Sequence, residues 1–228
     1  MKSVYALWLH GIGSQDSKYA DYAQKHLSSA LSERGHVLYG RAVHYAPLFQ
    51  GAADKFLRDA QKAGSSGNMT QKLSVNVLSD ALQFQANQKL REQICNVIDY
   101  EYLQLRCPDE VVVFAHSLGC MAFVEWLRTR KAVKKVKFVT MGCNIGLFTL
   151  GMPFDCPDQI KRPGTWLNLF DPSDFLGFAM GVRVETAHVK DIEVQVGGFL
   201  GMTGLAHICY LEDNNLWTNT IPKLLVGR

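Results

Sequence analysis

The sequence predicts an α/β fold, a mostly parallel central sheet with helices on both faces. Three observations carry that prediction. Apolar runs of strand length alternate along the chain with longer stretches of helical periodicity. The runs Val4–Leu9 and Val111–Ala115 are apolar throughout rather than at every second residue, as strands buried on both faces require. With 228 residues, 47% of them hydrophobic, the chain is long enough to bury such a core in one domain spanning 1–228.

Taken in order, "SVYALWL" (Ser3–Leu9) reads as the first strand, running into "HGIGSQ". "YADYAQKHLSSALSERG" has the spacing of an amphipathic helix, with Gly35 just past its end. "HVLYGRAVHYAP" alternates and stops at Pro47, which makes it a second strand. The pattern weakens over Leu48–Thr70, where a helix-like "AADKFLRDAQKA" is followed by the pliable "GSSGN". A long periodic segment then places Leu73, Val77, Ala81, Leu90, Ile94 and Ile98 on one face. After it come a strand at Val111–Ala115, a helix at Leu118–Arg128, and strands at Val136–Met141, Thr165–Phe170 and Val189–Val196. A last helical stretch opens at Asn214 and contains Pro222. Ligands on sheets of this kind bind beyond the carboxyl ends of the strands.

Composition narrows the function. A net charge of +3 is too mild for nucleic-acid binding, and the densest basic run, Arg128–Lys137, reads as the solvated end of a helix. Six cysteines without CxxC spacing, in a chain of this length with no signal-like start, point to reduced thiols and a cytoplasmic protein. No window has the roughly 18 apolar residues of a membrane span. The seven histidines show no HExxH or other ligand spacing, so neither a metal nor a cofactor is expected.

The chemistry concentrates in "VVVFAHSLGCMAFVEWL". A buried strand passes into a buried helix through His116-Ser117-Leu118-Gly119 with almost no loop. Such a turn lifts a serine hydroxyl above the sheet, and it needs small residues two before and two after because backbone passes close by. Here these are Ala115 and Gly119. The helix start also aims the Leu118 N–H at a reacting carbonyl, half of an oxyanion hole. The other half is expected from the Ile12 N–H, since Gly11 and Gly13 let the loop after the first strand curl.

A serine nucleophile needs a base, and the base needs an orienting acid. After Ser117 the chain has two histidines. His188 opens a strand and reads as a packed or edge residue. His207 follows a loop with Gly197, Gly198, Gly201 and Gly204, pliable enough to bring an imidazole back over the sheet. Asp171 and Asp174, in "NLFDPSDFLG", are the candidate acids. Asp171 precedes Pro172, so Asp171–Asp174 reads as a type I turn whose first carboxylate accepts N–H groups of its own loop. That leaves Asp174 for the histidine. A short helix capped by Asp174 would reverse the two roles.

With elbow, oxyanion loop, acid and histidine in this order, the chain resembles the α/β-hydrolase superfamily over essentially its full length, and most of all small bacterial lipase- or esterase-like serine hydrolases. The motifs that carry the likeness are "AHSLG", "TMGCNIGLF", "WLNLFDPSDFLG" and "AHICYLED"; Ala115 departs from the usual first glycine. The resemblance implies Ser117 as nucleophile, His207 as base, Asp174 as acid, and Ile12 with Leu118 as oxyanion donors. It implies a small-molecule ester substrate, with thioesters or amides as alternatives for the same triad. A catalytically silent fold that binds a ligand or a protein is the reading from another class. Asn144, Ile145, Phe148 and Phe175 are candidate substrate-binding residues. Residues 48–70 stand where such proteins carry a lid, so transient lipid contact is one further expectation.

Overall fold

The computed structural model describes residues 1–11, 15–49, 58–59, 61–62, 69–106, 108–130, 135–149, 154–162, 164–181, 189–198 and 205–227, with 69–74 and 76–78 described by backbone alone. Six strands are seen among them: β1 (Lys2–Leu9), β2 (His36–Val43), β3 (Glu110–His116), β4 (Lys135–Met141), β5 (Trp166–Phe170) and β6 (Val189–Glu193). They form one sheet in the order β2-β1-β3-β4-β5-β6, and every pairing is parallel. The helices are α1 (Asp21–Ser32), α2 (Met69–Ala86), α3 (Gln88–Gln104), α4 (Leu118–Thr129), the single turn α5 (Ile145–Phe148) and α6 (Ile221–Val226).

Side-chain alternation explains why the central strands are apolar throughout. On β1 and β3, Leu7, Leu9, Val111, Val113 and Ala115 enter a core shared with α3 and α4. Ala6, Trp8, Val112 and Phe114 point the other way, onto α1 and the C-terminal segment. Trp217 fastens that segment: its ring lies 5.1 Å from Phe114 and 6.4 Å from Trp8, and its Nε1–H donates to the Tyr210 carbonyl. Such aromatic pairs add roughly 0.5–1.5 kcal/mol each beyond the area they bury.

Several local expectations shift. The long periodic segment is two helices, not one. Asn87 leaves the helical conformation (φ −109°, ψ 97°) and its side chain accepts the Leu90 N–H at 3.1 Å, capping α3. The second strand ends at Val43, and the chain tightens into a 3₁₀ turn over Ala46–Leu48 that holds Pro47. The last strand stops at Glu193 rather than Val196. The C-terminal helical stretch opens at Asn214, passes through a π turn over Leu216–Thr220, and continues as α6, which holds Pro222 in its first turn. Leu48 and Phe49 pack against the core, while Arg58, Asp59, Gln61 and Lys62 are exposed. The rest of the expected lid lies outside the described residues.

Candidate active site

Ser117 follows β3 and precedes α4, with φ 52° and ψ −120°. An L-residue held at positive φ is strained, and the surroundings must enforce it. Here the Ser117 N–H donates to the Met141 carbonyl on β4 at 3.0 Å, and the Ser117 carbonyl accepts the Cys120 N–H at 2.9 Å. The serine side chain makes no capping hydrogen bond to the helix, so capping does not account for it. Gly119 is required for space: a Cβ there would stand 2.7 Å from the Leu9 carbonyl oxygen and 2.8 Å from that of His10. A strained elbow at the end of a central strand, in a parallel sheet of this strand order, decides the architecture. The fold is that of the α/β-hydrolases.

In that fold the structure brings Ser117, His207 and Asp174 together. His207 stands in a 3₁₀ turn, Ala206–Ile208, reached through the C-terminal chain beyond β6. Its Nε2 lies 2.9 Å from Ser117 Oγ, and its Nδ1 lies 3.0 Å from both carboxylate oxygens of Asp174. All three side chains are buried. Burial works against charge on the Asp174 carboxyl. The His207 ring, with the N–H groups of Leu176 and Gly177, outweighs it and holds the carboxyl below its usual range. An ionised carboxylate only accepts, so the ring proton sits on Nδ1 and leaves the Nε2 lone pair for the Ser117 hydroxyl.

Asp171 has other partners. Its carboxylate accepts the Ser173 N–H at 2.8 Å, the Ser173 hydroxyl at 2.6 Å and the Val196 N–H at 2.8 Å. The Asp174 N–H closes the turn onto the Asp171 carbonyl at 2.9 Å, and the Asp171 N–H donates to the Tyr210 hydroxyl at 2.8 Å. Asp171 therefore holds the loop that carries Asp174.

Leu118, fully buried, is the first residue of α4, where N–H groups have no intrahelical acceptor. Ile12 lies outside the described residues, as does His188. Gly11 is described: a Cβ there would meet His116 Nδ1 at 2.9 Å and Ser117 Cβ at 3.0 Å.

Of the candidate substrate contacts, Phe175 is near His207, the two rings 6.3 Å apart. Ile145 and Phe148 line a cavity of about 480 Å³ with Phe84, Met121, Val124 and Phe154, and Ser117 is not among its walls. Asn144 is fully buried, and neither its Oδ1 nor its Nδ2 has a hydrogen-bond partner among the described residues. A larger cavity of about 740 Å³ opens at the amino ends of the strands, beside Lys2, Glu110 and Lys137. It is far from the triad and on the wrong side of the sheet for a ligand of this architecture.

Four residues around Ser117, His207 and Asp174 escape a reading of the sequence alone. Gly142 (φ 54°) and Gly177 wall the acid–base pair: a Cβ at Gly142 would reach Asp174 Oδ2 and His207 Nδ1 at 2.9 Å, and one at Gly177 would strike Asp174 Oδ2. His10 is buried against Tyr45, its Nδ1–H donating to the Gly11 carbonyl at 2.6 Å while Nε2 accepts the Tyr45 N–H at 3.1 Å. The Tyr45 hydroxyl donates to the His10 carbonyl. His116 is buried beside Ser117. No sequence periodicity marks these contacts, because several join segments far apart in the chain, as His10 with Tyr45 and Gly142 with His207 do. Among the described residues no group of three or more His, Cys, Asp or Glu converges to hold a metal ion.

The two buried histidines have a consequence for stability. Burial pushes the pKa of each from 6.5 down to about 3. As pH falls below about 6.5 the unfolded chain protonates both rings, and the folded chain leaves them neutral until about 3. The contribution is therefore complete above 6.5 and declines toward 3, at roughly 1.4 kcal/mol per pH unit for each ring. Urea midpoints should fall steadily from about pH 6.5 to about 4.5, before most carboxylates titrate. Midpoints that stay level over that range would mean these rings are not kept neutral by the fold.

No protein-family model matches the chain, and no curated protein does. Solved structures similar to it include a protein assigned to the alpha/beta superfamily of hydrolases from Xanthomonas campestris pv. campestris, 13% identical over 96% of this chain and 98% of that one, with a TM-score of 0.46. An extracellular alpha/beta-hydrolase from a Paenibacillus species is 10% identical over 98% of each, with a TM-score of 0.48. Potato epoxide hydrolase is 17% identical over 62% of this chain and 34% of its own, with a TM-score of 0.27. The fold assignment stands on the sheet order and the elbow of this chain. Among the described residues no helix is long and apolar enough to cross a membrane.

Proposed function

We propose that this protein is a serine hydrolase that cleaves carboxylic esters of small molecules through an acyl-enzyme. The observation that carries the reading is the continuous relay from the Asp174 carboxylate through the His207 ring to Ser117 Oγ, at 3.0 Å and 2.9 Å, with the serine in a strained elbow. In the first half-reaction Ser117 Oγ adds to the ester carbonyl as its proton passes to His207 Nε2. The oxyanion takes the Leu118 N–H, with Ile12 as second donor on the sequence reading. His207 then gives the proton to the departing alkoxide, leaving acyl-Ser117 and a free alcohol. Water, deprotonated by the same ring, cleaves the acyl-enzyme and restores Ser117. Asp174 stays ionised throughout and stabilises the imidazolium.

A fluorophosphonate probe tests the reaction class, because it labels an activated serine. Ser117 is the expected site, and intact protein with no adduct there would sink the proposal. A panel of p-nitrophenyl esters and acyl thioesters of graded length then separates ester from thioester preference.

Asn144 supports a role in selecting the substrate. A buried amide with neither atom bonded carries a desolvation cost of about 1–3 kcal/mol, which a substrate bearing a hydroxyl or amide group would offset on binding. Asn144→Leu, close in volume, should therefore raise the melting temperature by roughly 2–4 °C per kcal/mol recovered. It should also slow turnover of hydroxyl- or amide-bearing esters more than that of plain alkyl esters. A lower melting temperature with equal loss on both ester types would make Asn144 a structural residue instead.

A further inference from the structure

His116 precedes the nucleophile and takes no part in the relay from Asp174 to Ser117, yet it adjoins both the serine and the histidine of it. Its ring is buried, with Nε2–H donating to the backbone carbonyl of His207 at 2.7 Å and the two ring centroids 4.9 Å apart. A carbonyl only accepts, so the proton is on Nε2 and Nδ1 carries a lone pair. That Nδ1 has no hydrogen-bond partner among the described residues and stands 2.9 Å from where a Cβ on Gly11 would be. Burial keeps the ring neutral, in keeping with one donating nitrogen. One imidazole thus adjoins the nucleophile covalently, the base by a hydrogen bond and the loop after β1 by contact.

His207 needs such a support. It sits in a three-residue turn, with no strand or long helix to fix its height over Ser117. A displacement of about 1 Å between a base and its nucleophile can cost on the order of 100-fold in rate. A hydrogen bond from the end of β3 to the main chain of His207 makes base and serine move together. We propose that His116 is a positioning residue that, by holding the His207 carbonyl through Nε2–H, sets the distance from the His207 ring to Ser117 Oγ. This rests on the reading of Ser117, His207 and Asp174 as a hydrolytic triad.

The test compares three substitutions in the full chain. Glutamine can place an N–H where Nε2 stands; asparagine reaches only the position of Nδ1; leucine fills the space with no donor. With wild type labelled at Ser117 by the fluorophosphonate, His116→Gln should keep kcat within about threefold on a p-nitrophenyl ester. His116→Asn and His116→Leu should lower kcat by roughly 30- to 100-fold, with KM changed less than about threefold. Equal losses in the glutamine and asparagine variants, or full activity in the leucine variant, would overturn the proposal. Should leucine prevent folding, the glutamine–asparagine pair still decides, since both are amides and differ only in reach. Wild type that fails to label at Ser117 removes the triad reading and this role with it. A labelled wild type with indifferent variants removes the His116 role alone.

Discussion

Ser117→Ala is expected to lower ester turnover by roughly 10³-fold or more while leaving a folded protein. The Ser117 hydroxyl bonds to His207 and caps nothing in α4, so its loss costs the helix no cap. Alanine has the same backbone strain at φ 52° as serine, and its Cβ occupies the space the serine Cβ already fills near Gly11. Stability should thus change by about 1 kcal/mol or less, the order of one hydrogen bond. Any remaining rate would come from the oxyanion donors and from binding. The measurement is kcat/KM on a p-nitrophenyl ester beside a melting curve. Turnover within tenfold of wild type would place the nucleophile elsewhere.

The second large effect separates the two aspartates. Asp174→Asn keeps the shape but turns one carboxylate oxygen into an NH₂ group, in a pocket where the Leu176 N–H already donates to Oδ1 at 2.9 Å. The amide oxygen must turn toward that donor, which leaves NH₂ facing His207 Nδ1. The ring then has to accept at Nδ1 and carry its proton on Nε2, the wrong tautomer for a base. A loss in kcat of about two to four orders of magnitude follows. Because the N–H groups of Leu176 and Gly177 both serve this carboxylate, the NH₂ also meets a backbone donor, and stability should fall by roughly 1–3 kcal/mol as well. Asp171→Asn is expected to share the loss of stability but to spare kcat. Its two oxygens take three donors from Ser173 and Val196, so an NH₂ there meets an N–H head-on. That should cost about 1–3 kcal/mol and several degrees of melting temperature, with a smaller effect on kcat. Thermal melts and steady-state kinetics of the two variants, taken together, give either this pattern or its reverse, and the reverse would make Asp171 the acid.

How much of this the sequence carried follows from the range of each interaction. β1 and β3 are legible because burial on both faces writes itself into consecutive residues. The elbow is legible because its tight backbone demands Ala115 and Gly119 at fixed offsets from Ser117. Asp174 separates from Asp171 through Pro172, a purely local effect. The break at Asn87 is hidden because Ala81, Leu90, Ile94 and Ile98 are all buried on either side of it, so the apolar period runs straight through the cap. The tasks of His10 and His116 are hidden for another reason. Each depends on which ring nitrogen holds the proton, and that is fixed by carbonyls and N–H groups the fold delivers. Ile12 and most of 48–70, both singled out by sequence, lie outside the described residues.

Gly11, Gly119, Gly142 and Gly177 have in common that a single methyl group at any of them would collide with the triad, with a histidine beside it, or with the backbone beneath it. In evolutionary terms these positions are closed to variation. At Gly119 the obstacle is the main chain of Leu9 and His10, and at the other three it is chiefly the side chains of His116, Ser117, Asp174 and His207, which cannot move without disturbing the site. On the proposed function, adaptation to a new substrate would be channelled outward, to side chains that lie off this frame, such as Phe148 and Phe175. A library randomised at the half-buried Phe148 and Phe175 should keep a higher fraction of folded, labelling-competent members than one randomised at the glycines.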